Sequence, residues 1–173
     1  MSGPSAEDCC VRGELAYFLG LGSNLGDRRK NLSRAVRLLE KADVRVVRTS
    51  SVYETEPVDD PAQPWYLNQV LEVRTAAAPH EMLLLAKDVE ARLGRSPGPA
   101  GAPRTMDIDI LLAEETIIDT PDLTIPHPRL ARRNFVLVPL SEIAPKTMHP
   151  VLRKSVKELA RASSDRSSVV KLP

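Results

Sequence analysis

Two segments of helical periodicity, each entered and left through an apolar strand-like run, constrain this chain more than any single motif does. Leu32, Ala35, Val36 and Leu39 recur at helical spacing, while Arg34, Arg37 and Lys41 take the opposite side. Pro79 suits the first turn of a second helix with an apolar face of Met82, Leu85, Ala86, Val89 and Leu93. Gly94 suits its C-terminal cap. Around these helices lie four strand-like runs: residues 15–21, 45–53, 66–75 and 105–112. In the third, Leu67, Gln69, Leu71 and Val73 share one face. The proline-bearing stretches 54–64 and 96–103 read as loops, and a last weak helix falls near 152–161. The order β-α-β-β-α-β predicts an α+β, ferredoxin-like antiparallel sheet with both helices on one face and a short C-terminal extension. Such a fold hosts many activities, so function must come from particular residues.

Composition narrows the class. The chain has 173 residues, 42% of them hydrophobic and 27% charged, enough for one domain with a real core. Residues 1–13 read as a loose extension and 14–173 as a single domain. A net charge of +1 argues against broad nucleic-acid binding, and aromatics are too few for a base-stacking module. Cys9 and Cys10 are adjacent, which suits neither an unstrained disulfide nor a thiolate metal site. The apolar run 15–21 is too short for a bilayer and no signal-peptide pattern precedes it. A cytoplasmic protein without membrane association is expected, as a monomer or weak dimer.

The sharpest chemical feature is Arg104-Thr105-Met106-Asp107-Ile108-Asp109-Ile110-Leu111-Leu112. On a strand Asp107 and Asp109 share one face, Cα atoms roughly 7 Å apart, while Met106, Ile108 and Ile110 take the other. Two carboxylates so placed can hold two divalent cations for phosphoryl transfer, and oxygen-only ligands favour magnesium. The plainer alternative is an edge strand with an acidic wet face. A metal-dependent nucleotide-sugar glycosyltransferase also uses such a pair. Arg95, Arg104, Arg132 and Arg133 are candidate phosphate ligands, and His127 sits on a rigid loop between Pro126 and Pro128. The turn Gly22-Ser23-Asn24-Leu25-Gly26 lacks the lysine and hydroxyl of a phosphate loop, so it reads better as a tight turn with Asp27 capping the helix.

Taken together these motifs resemble the folate-pathway hydroxymethyl-dihydropterin pyrophosphokinases. The resemblance rests on residues 20–27, on Ser51-Val52-Tyr53-Glu54-Thr55-Glu56-Pro57, on Tyr66-Leu67-Asn68 and on residues 103–111. It continues through Ile125-Pro126-His127-Pro128-Arg129-Leu130 and residues 133–140. It implies an enzyme that moves the diphosphoryl group of ATP, its co-substrate, onto the hydroxymethyl oxygen of the pterin and releases AMP. Two Mg2+ ions held by Asp107 and Asp109 are implied, with Arg95 and Arg104 in the catalytic set. For ATP the resemblance implies Lys87, Glu90 near the ribose, Arg95, Arg104, Ile110 through its backbone, Thr124, His127 and Arg133. For the pterin it implies stacking by Tyr66 and Phe135 and polar contacts from Thr55, Asn68 and Asp107, with Pro57 and Val58 shaping the pocket. Phe135 would otherwise read as a core residue. A family member that binds pterin or ATP without turnover is the remaining alternative. One departure stands out: the segment 96–103, which in the family carries arginines and a tryptophan, has neither here.

Overall fold

The computed structural model describes residues 13–58, 60–99 and 101–173; the readings of Cys9, Cys10 and the chain up to residue 12 lie outside these. Strand β1 (Leu15–Ser23) leads to helix α1 (Arg28–Lys41), then to β2 (Arg45–Thr49), β3 (Tyr53–Thr55) and β4 (Tyr66–Thr75). Helix α2 (Pro79–Arg92) and β5 (Asp107–Ala113) follow. A small hairpin, β6 (Ile118–Asp119) with β7 (Thr124–Ile125), precedes α3 (Asn134–Ile143), α4 (Val156–Ala162) and β8 (Val169–Lys171). The main sheet runs β5-β1-β4-β3-β8, with β2 also pairing with β4, and its named pairings are antiparallel. This is the expected ferredoxin-like order. Among the described residues no helix is long and apolar enough to cross a membrane.

Local chemistry accounts for the helices. Asp27 caps α1 by accepting the Lys30 N–H at 3.0 Å, and the helix buries Leu32, Ala35 and Leu39. Helix α2 buries Met82, Ala86 and Val89 and ends before Gly94, whose φ of +84° suits a residue without a Cβ. Both helices cover one face of the sheet, against Leu19, Leu21, Leu71, Val73 and Ile108. On the opposite face Phe18, Val70 and Leu111 pack against Val136, Leu137 and Leu140 of α3 and Val156 and Leu159 of α4.

This second layer departs from the sequence reading, which expects a short C-terminal extension with a weak helix and does not mark α3. Pro139 lies inside α3 and cannot donate to the carbonyl four residues back. Burial of Val136, Leu137, Leu140 and Ile143 holds the helix nonetheless. The run 45–53 is likewise not one strand. It breaks after Thr49 and resumes as β3, two residues of which fall in the stretch read as a loop. The final helix begins at Val156 rather than near 152, because Ser155 caps it through the Glu158 N–H. The C-terminal strand β8 had no sequence signal.

Since α3 and α4 reach only part of the second face, the rest lies open. The register decides what is exposed there. Gly22 stands opposite Asp107 on one side and Asn68 on the other, and Gly20 opposite Asp109 and Val70. Cross-strand partners share a face, so two residues without side chains run between the aspartates and Asn68. They form the floor of a pocket.

Candidate active site

The open face forms a cavity of about 490 Å³, and a smaller one of about 220 Å³ adjoins it; Asp109 and His127 line both. The two acidic side chains do share a face, as their spacing requires. Asp107 is held by two guanidinium groups, Oδ1 by Arg95 Nη1 at 2.8 Å and Oδ2 by Arg104 Nη1 at 2.9 Å. Asp109 has no such clamp. Burial, followed by the negative charges of Asp107 and Glu90, pushes its carboxyl up to about 7, against the opposing pull of Arg133 and Arg104. Its side chain keeps 39% of its surface, but that surface faces the concave pocket, so solvation by bulk water is weaker than the area suggests.

His127 is placed by a bond from its N–H to the Leu111 carbonyl at 2.9 Å. Burial and the nearby charges of Arg133 and Arg129 lower its pKa to about 4, so the ring is neutral near pH 7. Its Nδ1 accepts the Arg129 N–H at 3.1 Å, which leaves the proton on Nε2, 4.0 Å from Asp109 Oδ1. The histidine is thus a neutral donor aimed across the junction of the two cavities.

Glu90 does not open to either cavity. It is buried, accepts the Ile108 N–H at 2.7 Å and pairs with Arg95. Burial pushes its carboxyl up, opposed by these partners. Its place is beneath β5, where it fixes both the strand between the two aspartates and the arginine that holds Asp107. Ile110 and Thr124 line the smaller cavity. Lys87 is exposed on α2 and lines neither, and Arg132 is exposed likewise.

On the other side of the larger cavity Asn68 Nδ2 donates to Thr55 Oγ1 at 2.6 Å, and both side chains are buried. Tyr66, Pro57 and Val58 line the same side, and Phe135 faces them from α3. The Arg133 guanidinium carbon lies 5.3 Å from the centre of the Phe135 ring. Trp65 does not line the cavity, and its carbonyl accepts from Arg28 at 2.7 Å.

Several working residues escaped the sequence reading. Asn24, 2% exposed, exchanges bonds with Arg104: its Oδ1 accepts the Arg104 N–H at 2.7 Å, and its own N–H reaches the Arg104 carbonyl at 3.1 Å. Its Nδ2 donates to Gln63 Oε1 at 3.1 Å and to the Pro64 carbonyl at 3.3 Å. Gln63 in turn donates to the Gly101 carbonyl. The glycine turn is therefore a clamp that joins the two loops flanking the pocket, in keeping with the tight-turn reading. Arg129 and Gln63 also line the cavity. Only the pairing of loops distant in sequence reveals their place.

Comparison with known proteins bears on the family and the fold. Residues 18–145 match the family model described as 7,8-dihydro-6-hydroxymethylpterin-pyrophosphokinase. A Bacillus subtilis protein named 2-amino-4-hydroxy-6-hydroxymethyldihydropteridine pyrophosphokinase is 41% identical over 153 residues, covering 88% of this chain and 87% of its own. The Aquifex aeolicus protein of the same name is 42% identical over 141 residues, covering 82% and 88%. Among solved structures, a Plasmodium falciparum HPPK-DHPS chain superposes with a TM-score of 0.70 at 18% identity over 88% of this chain. That likeness concerns the fold alone, and this chain spans 46% of the solved one. None of these matches favours a nucleotide-sugar transferase. A match over most of the chain, together with relatives above 40% identity along nearly their whole length, settles the relationship: the chain belongs to the 7,8-dihydro-6-hydroxymethylpterin-pyrophosphokinase family.

Proposed function

We propose that the two joined cavities are the site where this chain, acting as an ATP-dependent diphosphotransferase of folate synthesis, transfers the β,γ-diphosphoryl group of ATP to the hydroxymethyl oxygen of the pterin. The observation that carries the placement is the shared wall. Asp109 and His127 border both cavities, so a nucleotide in the smaller and a pterin in the larger would bring the phosphates over Asp107 and Asp109.

In this reading the pterin lies between Tyr66 and Phe135, a flat ring between two aromatic faces, with Asn68 and Thr55 at its polar edge. Asp107, in the same cross-strand row as Asn68, faces the hydroxymethyl group and accepts its proton as the oxygen attacks the β-phosphorus. Arg104, which lines the larger cavity, reaches phosphate oxygens with its guanidinium fork. Arg95 lines neither cavity, is paired with Glu90 and Asp107, and acts on the phosphates through its charge at Asp107. His127 donates its Nε2 hydrogen to a phosphate oxygen without adding charge. Arg133 lies over Phe135 and attends both substrates. Ile110 and Thr124 border the nucleotide. Lys87 lies outside both cavities, and an ATP contact from it requires a substrate that extends past the rim.

Asp107 and Asp109 present two oxygen-ligand carboxylates on one strand face. That suits Mg2+, which takes few protein ligands and fills its shell with water and substrate phosphates. Two such ions, when bound, supply positive charge to offset what builds on the phosphate oxygens. The arginines and His127 act on the same charge from fixed positions.

The direct test is incubation with ATP, magnesium and 6-hydroxymethyl-7,8-dihydropterin, with products separated by chromatography. AMP and a pterin diphosphate are expected in equal amounts; ADP, or no nucleotide product, would sink the proposal. Two variants test the pocket. Asn68→Ala should weaken pterin binding by about 1–3 kcal/mol because a ligand polar group loses its partner, with ATP affinity almost unchanged. Equal losses for both ligands in calorimetry would place Asn68 outside the pterin subsite. Gly22→Ala probes the floor: a Cβ there would sit 2.8 Å from Asn68 Oδ1 and must displace it from Thr55. We expect about 1–3 kcal/mol of destabilisation from overpacking and at least about tenfold weaker pterin binding. Parental pterin affinity in this variant would show that the Asn68–Thr55 pair does not set the subsite.

A further inference from the structure

Residues 146–173 lie beyond the stretch that the family model matches, yet part of this segment is built into two walls of the pocket. Helix α3 starts at Asn134 with no side-chain cap from Arg133 at its N-cap position. The missing acceptor comes from 31 residues downstream: Asp165 Oδ2 accepts the Asn134 N–H at 2.7 Å, and the Asp165 carbonyl accepts from Asn134 Nδ2 at 2.9 Å. Ser167 orients the carboxylate, its N–H and hydroxyl donating to Oδ1 at 2.8 and 2.7 Å. Burial pushes the Asp165 carboxyl up, but the hydrogen bonds from Ser167 and Asn134, with the charge of Arg133, outweigh this and hold it below its ordinary value. It is therefore an anion at the helix start, where the backbone dipole favours one. Asn134 stands between Arg133 and Phe135, both of which line the pocket.

Three residues further on, the same segment grips the sheet. The Glu56 N–H donates to the Ser168 carbonyl at 3.1 Å, and the Ser168 N–H donates to Glu56 Oε2 at 3.2 Å. Strand β8 then pairs with β3, Val169 opposite Thr55, the residue that holds Asn68. Three residues of chain span at most about 10–11 Å, so this connection limits how far α3 can move from Thr55 and Glu56.

We propose that residues 165–169 brace the pterin subsite, with Asp165 a positioning residue that acts through Asn134, at the first turn of α3, on Phe135. The proposal rests on the pterin lying between Tyr66 and Phe135. It requires no contact between the segment and either substrate.

The test uses the full chain with four variants: Asp165→Ala, Asp165→Asn, Ser167→Ala and Phe135→Ala. Calorimetry gives the Kd of the stable probe 6-hydroxymethylpterin, steady-state kinetics give the two KM values, and thermal unfolding reports stability. Asp165→Ala should raise the pterin Kd and KM about tenfold with the ATP KM within about threefold. Asp165→Asn keeps an oxygen acceptor for the Asn134 N–H and should restore pterin binding to within about threefold of the parent. Ser167→Ala should weaken pterin about two- to threefold, and it carries the test alone should Asp165→Ala not fold. Parental pterin affinity in Asp165→Ala overturns the brace. So does equal weakening of pterin and ATP, the mark of a general loosening. In the fallback case, parental affinity in Ser167→Ala overturns it. Phe135→Ala separates the two ideas. If it leaves pterin binding intact, the placement of the pterin has failed and the brace with it. If it weakens pterin while the Asp165 and Ser167 variants do not, the brace alone is wrong.

Discussion

In chelated, metal-free buffer at pH 8, Asp109→Asn is expected to unfold at higher denaturant than the parent protein, while its turnover with ATP and magnesium falls about a hundred- to a thousandfold. The stability gain follows from linkage. The folded protein holds the Asp109 carboxyl up to about 7, chiefly by burial and then by repulsion from Asp107 and Glu90, whereas in the unfolded chain it titrates near its ordinary value of about 4. Between these values the folded state binds a proton that the unfolded state does not, so stability falls as pH rises through that window and stays lower above it. Asparagine is neutral throughout and removes the loss. A side chain that keeps 39% of its surface warrants a discount for solvent screening, which leaves about 1–2 kcal/mol at pH 8 and almost nothing at pH 4. Denaturant curves at the two pH values check the first half and product formation the second. A variant that is less stable at pH 8, or one with near-parental turnover, would overturn this account. In the proposed reading the arrangement is a trade of stability for function: an ionised Asp109 is costly to the fold and becomes useful when cations and phosphates share its field.

The second large effect is expected at a residue that touches no substrate in the proposed reading. Asn24→Ala removes the acceptor of the Arg104 N–H and the donor to Gln63 and Pro64 at a position 2% exposed. Each buried group left unpaired costs about 1–3 kcal/mol, so a loss of about 2–4 kcal/mol in folding stability is expected. The catalytic loss should be larger than this alone suggests, because Arg104 holds Asp107 and a shift of about 1 Å in such a group costs on the order of a hundredfold in rate. The Gln63 link to Gly101 loosens at the same time, and with it the register of the two loops beside the pocket. Equilibrium denaturation and kcat/KM at saturating magnesium measure both effects. Activity within about threefold of the parent would show that Arg104 is placed by other contacts.

Much of the fold was legible in the chain because its main elements satisfy themselves locally. Helices α1 and α2 carry their own apolar stripes, with Asp27 capping the start of the first and Gly94 following the end of the second; β1 carries a continuous apolar run, and β4 and β5 carry their own alternation. The shared face of Asp107 and Asp109 follows from the two-residue period of a strand, whatever surrounds it. The residues proposed as pterin walls were a different case. Thr55, Asn68 and Phe135 were singled out only through the family resemblance, since an amide, a hydroxyl and an aromatic on separate elements have no common local pattern.

Tertiary structure decided what depends on partners distant in sequence. Helix α3 contains a proline and declares itself only through the sheet face it buries. Strands β3 and β8, three residues each, exist because they pair. Glu90, expected beside a ribose, is instead enclosed under β5, and the neutrality of His127 comes from burial and from arginines brought in from other segments. Asn24 and Asp165 show the division most clearly. Nothing in the short-range pattern separates them from any turn asparagine or tail aspartate. What distinguishes them is which unpaired backbone groups arrive beside them once the chain has folded: the N–H of Arg104 for one, and that of Asn134 for the other. The local chain determined which elements could form, because hydrophobic period and capping act within a few residues. Burial and charge at the site were left to the fold, because they are sums over neighbours that only packing supplies.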